Sequence, residues 1–292
     1  MDNLIRCITT DGSARLILIN STQIVNRAVE IHTTAPTATA ALGRVLTASA
    51  MMGSLLGEKD DLLTVSFKGN GVAGNVMATS DYMGNVRGYI ANPAADPAKR
   101  PDGKLNVAAA IGAGSMYVLR DAAGLEEPYV GVLEIQSGEI AEDIAAYYAQ
   151  SEQVPTLCAL GVRVGRDYRA ISAGGALLQL LPFADESIID VIEQNIKGLP
   201  PISELVERHT LSEIAGMYLK GIEFEQFDGM RCEYRCACSR KKTDKALISL
   251  GRQELSEMIA EGGTELNCKF CDKIYKYSAE ELKALLAEGE AR

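Results

Sequence analysis

The sequence predicts an α+β protein: an N-terminal domain of antiparallel sheets with long helices, a helical linker and a small C-terminal domain. Three observations carry this expectation. Short strand-like runs separated by glycine-rich turns fill the region from Leu62 to Ile135, helical apolar spacing marks two long segments, and four cysteines are gathered near the C-terminus. Sheets combined with long helices outside any alternating strand–helix order indicate α+β rather than a doubly wound fold. The expected division is a core over 1–182, a linker over 183–231 and a cysteine-bearing domain over 232–292.

Leu62–Phe67, Asn75–Thr79 and Asn85–Ile90 read as the strands of an antiparallel meander, and Tyr117–Leu119 with Tyr129–Ile135 as a further hairpin. Pro36–Leu56 is alanine-rich, with Leu42, Val45, Leu46, Met52 and Leu55 near helical spacing. Glu139–Gln150 places Ile140, Ile144 and Tyr148 on one face. Beyond Phe183 the texture changes to short amphipathic helices. Ile188, Val191, Ile192 and Ile196 form one stripe, Pro200-Pro201 ends it, and Thr210-x-x-Glu213 is a capping box opening a helix through Ile214, Met217 and Tyr218. These stripes require a partner surface. Further on, Asp244–Leu250 and Gln253–Glu261 read as helices and Leu266–Tyr277 as a hairpin. Ala279–Leu286 reads as a last helix, opened by a Ser278-x-x-Glu281 capping box.

Composition narrows the function classes. The 292 residues are 47% hydrophobic and 23% charged, which is the balance of a folded soluble protein. The most apolar helical segment, around Ala41–Leu56, is interrupted by Gly43, Arg44 and Gly53, so no membrane span is expected. A formal net charge of -10 argues against a broad nucleic-acid surface, whose affinity comes from neutralising phosphates. The N-terminal Met1–Cys7 stretch has no basic segment followed by an apolar one, so a cytoplasmic location with reduced thiols is expected.

Cys236 and Cys238, followed by Cys268 and Cys271, have the spacing of a single four-thiolate metal site. Sulfur ligands without histidine or carboxylate fit zinc best, with an iron–sulfur cluster as the other soft-ligand reading. Two structural disulfides would need an oxidising compartment. Either pair can also close into a local disulfide, and a sulfur so engaged no longer serves as a thiolate ligand. Such a site can act as an oxidation switch. A unit of this size rarely buries enough apolar surface to fold alone, so metal loss is expected to unfold it. Cys7 and Cys158 lie in apolar surroundings and read as inert core residues, whereas Cys232 is a bystander, an alternate ligand or a resolving thiol.

Other motifs carry less. Gly69-Asn70-Gly71-Val72-Ala73-Gly74 is a literal G-x-G-x-x-G, but a strand pattern rather than a helix follows it, so these glycines read as turn residues. His32 and His209 have no evident catalytic partner and read as structural or surface residues; no catalytic residue, and no enzyme, is expected. Arg240-Lys241-Lys242, with Lys245, Lys269 and Lys273, is a solvated face, a set of cations tuning the thiolates, or a nucleic-acid surface.

The chain resembles the bacterial redox-regulated chaperone family called heat-shock protein 33, over nearly its whole length. The residues carrying the resemblance are Cys236-Ala237-Cys238-Ser239-Arg240 and Cys268-Lys269-Phe270-Cys271, and in the core Ala41-Leu42-Gly43-Arg44, Gly84-Asn85-Val86-Arg87-Gly88-Tyr89, Gly138-Glu139-Ile140-Ala141-Glu142-Asp143, Ser151-Glu152-Gln153 and Ala173-Gly174-Gly175. The resemblance implies a cytoplasmic, ATP-independent holdase, dormant when reduced and zinc-bound, with Cys236, Cys238, Cys268 and Cys271 as ligands. It further implies that oxidation joins Cys236 to Cys238 and Cys268 to Cys271, releases Zn2+ and unfolds the C-terminal domain and linker. The exposed apolar surface then holds unfolded or partly unfolded client proteins, in a homodimer, under oxidative stress. Cys232 is a departure that bears on the disulfide pairing. Lys241 is another, since an acidic residue often follows the Ser-Arg pair. Two other function classes compete: a zinc-ribbon nucleic-acid-binding protein, and a thiol–disulfide oxidoreductase using Cys268 and Cys271. The latter normally has its C-x-x-C at the start of a helix rather than in a hairpin.

Overall fold

The computed structural model describes residues 2–122, 127–182, 184 and 187–290, in two compact units, Met1–Arg235 and Cys236–Arg292. Met1, Phe183 and Arg292, three of the domain limits set from the sequence, lie outside the described residues.

The first unit runs β1 (Asp2–Thr9), β2 (Ala14–Asn20), α1 (Thr22–His32), α2 (Pro36–Gly53), β3 (Leu62–Gly69), β4 (Asn75–Asp81), β5 (Val86–Ile90), α3 (Val107–Ile111), β6 (Gly114–Asp121), β7 (Tyr129–Glu134), α4 (Ala141–Ser151), β8 (Thr156–Val164), β9 (Ala170–Leu180), α5 (Ser187–Ile196), α6 (Ile202–Arg208), α7 (Leu211–Tyr218), β10 (Phe224–Gln226) and β11 (Met230–Cys232). These strands form two antiparallel sheets, ordered β10-β1-β2-β9-β8, with β11 also on β1, and β5-β4-β3-β6-β7. The expected meander and hairpin are the second of these, joined through the β3–β6 ladder.

Helix α2 contacts strands of both sheets and is buried over almost its whole length. Its alanines let the sheets approach, and Pro36 supplies the preset φ of a first helical turn. Polar side chains on so buried a helix need internal partners. Thr47 Oγ1 donates to Gly43 O at 2.7 Å and lies 2.6 Å from Ser21 Oγ. Alternation along the first sheet divides the core. Leu4, Ile17 and Ile19 join the cluster around α2, while Ile5, Leu16 and Leu18 face the other way. Helices α5, α6 and α7 cover that outer face with Ile188, Ile192, Leu205, Val206, Leu211 and Ile214, which gives the apolar stripes their partner. Val191 stands apart from its stripe, 39% exposed. The capping box before α7 forms as expected: Glu213 Oε2 accepts from Thr210 N at 2.7 Å, and Thr210 Oγ1 from Glu213 N at 3.3 Å.

Three local features fix the ends of elements. Gly69 and Gly71 press against the carbonyls of Ile111 and Ala110, so the G-x-G-x-x-G stretch is a β3–β4 turn whose backbone leaves no room for a Cβ. Ile140 adopts φ 72°, an unusual conformation for a β-branched residue. The buried carboxylate of Asp143 holds it there, accepting from the backbone N–H of Gln136 (2.7 Å), Ser137 (3.0 Å), Gly138 (3.0 Å) and Ile140 (3.0 Å). Residues 230–235 lie across the unit. β11 pairs with β1, Val86 N donates to Glu233 O (3.0 Å), Arg235 N to Val86 O (2.9 Å), and Tyr234 Oη to Gly88 O (2.7 Å).

The second unit comprises α8 (Arg240–Leu250), α9 (Arg252–Ala260), β12 (Gly263–Asn267), β13 (Ile274–Ser278) and α10 (Ala279–Glu290). Helix α8 begins four residues earlier than its apolar spacing indicates, because Ser239 caps it by accepting from Lys242 N at 3.4 Å. Ser278 and Glu281 form the expected box before α10. The fully buried core of this unit is Leu247, Leu255, Tyr277 and Leu282.

Candidate metal centre

Cys236 and Cys238 lie on the irregular segment leading into α8. Cys268 and Cys271 lie in the turn between β12 and β13. That turn is closed by Cys268 N donating to Lys273 O (3.1 Å) and Cys271 N to Cys268 O (3.3 Å), so both thiols project from one tight loop. All four Sγ atoms lie within 4.8 Å of one another. The Cys236–Cys268 and Cys238–Cys271 sulfur separations are 3.7 and 3.5 Å. None of the four is in a disulfide. A zinc–sulfur bond of about 2.3 Å in a regular tetrahedron sets neighbouring sulfurs about 3.8 Å apart, so the donor set and its spacing fit one tetrahedral ion.

Electrostatics point the same way. Burial acts to raise the Cys238 thiol, but hydrogen bonds from Tyr275, Cys271, Cys236 and Cys268 outweigh it and bring the group down to about 7. Tyr275 Oη lies 3.1 Å from this sulfur. Burial raises Cys236, and burial with hydrogen bonds to the other three thiols raises Cys271 well above the ordinary thiol range. The Cys238 proton leaves readily while those of Cys236 and Cys271 are held, as expected when negative charges gather without a cation between them.

The remaining cysteines lie elsewhere. Burial pushes Cys7 up to about 11 and Cys158 up to about 12, which suits inert core thiols. Cys232 is 1% exposed in the first unit, where its Sγ donates to Met83 O at 3.3 Å and packs against Gly84, itself at φ +72°. It is not one of the four clustered sulfurs. His32 Nε2 is 2.9 Å from Gly88 O and 3.4 Å from Tyr234 Oη, a structural placement, and His209 lies near the surface, 4.0 Å from Glu213. In the basic cluster, Arg240 stacks on the Tyr277 ring at 4.2 Å, donates to Lys276 O at 2.9 Å and pairs with Glu281 at 2.6 Å. Sequence reasoning missed Tyr275 and Tyr277. Standing two residues apart on β13, they share its inward face, from which Tyr275 reaches the thiols and Tyr277 enters the core.

The fold and this cluster define a two-unit α+β protein whose C-terminal unit carries a four-cysteine site able to hold a metal ion. A family profile described as Hsp33 protein matches residues 2–278. The 33 kDa chaperonin of Clostridium botulinum (strain Langeland) is 43% identical over 288 residues, covering 98% of this chain and 97% of its own. That of Clostridium perfringens (strain SM101) is 42% identical, covering 99% and 92%. The crystal structure of the 33 kDa chaperonin (heat shock protein 33 homolog) from Thermotoga maritima superposes with a TM-score of 0.91 at 34% identity, covering 99% of both chains. The chain belongs to the Hsp33 family of chaperones. No described helix is long and apolar enough to cross a membrane.

Proposed function

We propose that this protein is an ATP-independent holdase of the cytoplasm, held inactive while its thiols are reduced and bound to zinc, and switched on by oxidation. The convergence of four free thiols in a unit where four side chains, among the described residues, form the buried core carries the reading, because such a unit depends on its ligand for stability. Cys236, Cys238, Cys268 and Cys271 are the ligands. Zinc, when bound, neutralises the gathered thiolates and ties both cysteine pairs together.

Oxidation by peroxide or hypochlorite joins Cys236 to Cys238 and Cys268 to Cys271. Each pair of thiolates gives up two electrons to the oxidant, whose reduction takes its protons from solvent, and the sulfurs cease to be ligands. The C-terminal domain then loses its fold, and the loss extends to the helical linker. By role the chain divides into a client-binding and dimerisation core over 1–182, a linker over 183–231 and a switch domain over 232–292. When α5–α7 leave the first sheet, the face bearing Ile5, Leu16 and Leu18 becomes available to unfolded or partly unfolded clients in an activated homodimer.

Light scattering from a thermally unfolding client tests this without nucleotide. The peroxide-treated protein, warmed mildly, is expected to suppress aggregation, and the reduced zinc-loaded protein to leave it unchanged. Equal suppression by both forms would refute the switch. The engagement of Arg240 by Glu281, Tyr277 and Lys276 removes one cation from the surface that the zinc-ribbon nucleic-acid alternative requires.

A further inference from the structure

A cleft of about 720 Å³ in the first unit lies between the start of α2, the loop over 96–105, β8 with its turn into β9, and the start of α6. Two features distinguish it. The first is charge: in a chain of net charge -10, its lining includes Arg44, Lys99, Lys104, Arg163 and Arg166 against Asp96 and Glu204. Asp96 is engaged by the backbone and hydroxyl of Thr37, whereas Lys99 and Arg166 have no partner among the described residues. Arg44 is paired with Glu139, but its buried Nε has no hydrogen-bond partner.

The second feature is backbone. β8 is the last strand of its sheet, paired only with β9, and Leu160–Gly165 line the cleft consecutively. Beyond the β9 ladder, no backbone group of Leu157–Val164 has a hydrogen-bond partner among the described residues. A free strand edge at the floor of a cleft is complementary to an extended polypeptide, which adds as a further strand and gains main-chain hydrogen bonds. A small phosphate-bearing ligand has no use for such an edge. Leu160, Val162 and the exposed Tyr168 ring supply apolar contacts between the cations.

We propose that this cleft binds extended, acidic polypeptide segments, pairing them with the free edge of β8 while Lys99 and Arg166 meet their carboxylates. The assignment rests on the chaperone reading and deepens it. The cleft makes the first, weak contact that favours acidic clients, before oxidation supplies the apolar surface that holds them.

The test uses the full reduced chain and a fluorescein-labelled octapeptide in which glutamate alternates with valine and tyrosine, read by anisotropy. Binding is expected, weakened on the order of tenfold when lysine replaces glutamate in the peptide or when the protein carries Lys99→Glu with Arg166→Glu. N-methylation of alternate peptide amides, which leaves charge unchanged but blocks strand pairing, is expected to cost about tenfold or more. Both substituted side chains are exposed and unpartnered, and an unchanged thermal transition confirms the fold. Equal binding of the lysine or N-methylated peptide overturns the proposal, as does full competition by tripolyphosphate, which would make this a phosphate site. Client light scattering on the same samples separates the two readings. Suppression by the oxidised wild type without peptide binding refutes the cleft alone; peptide binding without suppression in either redox form refutes the holdase alone.

Discussion

Chelation of the metal from the reduced chain is expected to unfold the second unit and leave β1–β9 of the first intact. Four fully buried side chains, Leu247, Leu255, Tyr277 and Leu282, anchor the second unit. At about 1.5–3 kcal/mol each, they contribute roughly 6–12 kcal/mol. A structural zinc in a small peptide contributes about 10–16 kcal/mol, comparable to these four side chains together. Hydrogen exchange read by mass spectrometry is the assay. Amides of α8–α10 are expected to lose protection on chelation and regain it when zinc is restored, while β1–β9 stay protected. A chelated protein that still protects the amides around Leu247 and Leu282 would refute the reasoning.

Three further outcomes follow from the geometry. Cys232→Ser is expected to leave one zinc per chain, because this thiol belongs to the first unit, and to cost that unit about 1 kcal/mol in denaturant unfolding; zinc loss as ready as in Cys236→Ser would put Cys232 among the ligands. Asp143→Ala strands four backbone donors around the left-handed Ile140 and is expected to destabilise the first unit by about 3–5 kcal/mol, with Asp143→Asn recovering part of the loss; a change within 0.5 kcal/mol or so would refute the role assigned to the carboxylate. Burial holds His32 below its ordinary pKa of 6.5, against the hydrogen bond to Gly88 O, so the fold favours the neutral ring. That contribution is complete above pH 6.5 and is lost as pH falls below it, so His32→Gln is expected to flatten the melting temperature's fall between pH 6.5 and 5.

Much of the cluster was legible in sequence because thiol chemistry constrains spacing: C-x-C and C-x-x-C reach a single centre only if the chain between them folds back, as it does through α8, α9 and β12. The β3–β7 sheet was legible through turn residues. Strands β1, β2, β8 and β9 were not, for a physical reason. Their sheet is covered on one face by α2 and on the other by α5–α7, so Leu16–Ile19 and Ala173–Leu178 are apolar without interruption and lack the alternation that marks a half-solvated strand. The attachment of residues 230–235 to β1 and β5 was equally hidden, since three-residue strands and single side-chain bonds leave no period to read.

The placement of β1 has a consequence for synthesis. One side of it pairs with β2, its immediate successor, while the other pairs with Phe224–Gln226 and Met230–Cys232, more than two hundred residues later. On the ribosome this edge therefore stays open, rich in apolar side chains, until nearly four-fifths of the chain has emerged. Such distant pairing is slow to form, and a nascent chain stalled before Phe224 presents an unpaired strand of the kind that recruits other unfinished chains. A member of a chaperone family is thus, for most of its own translation, itself in need of protection from aggregation.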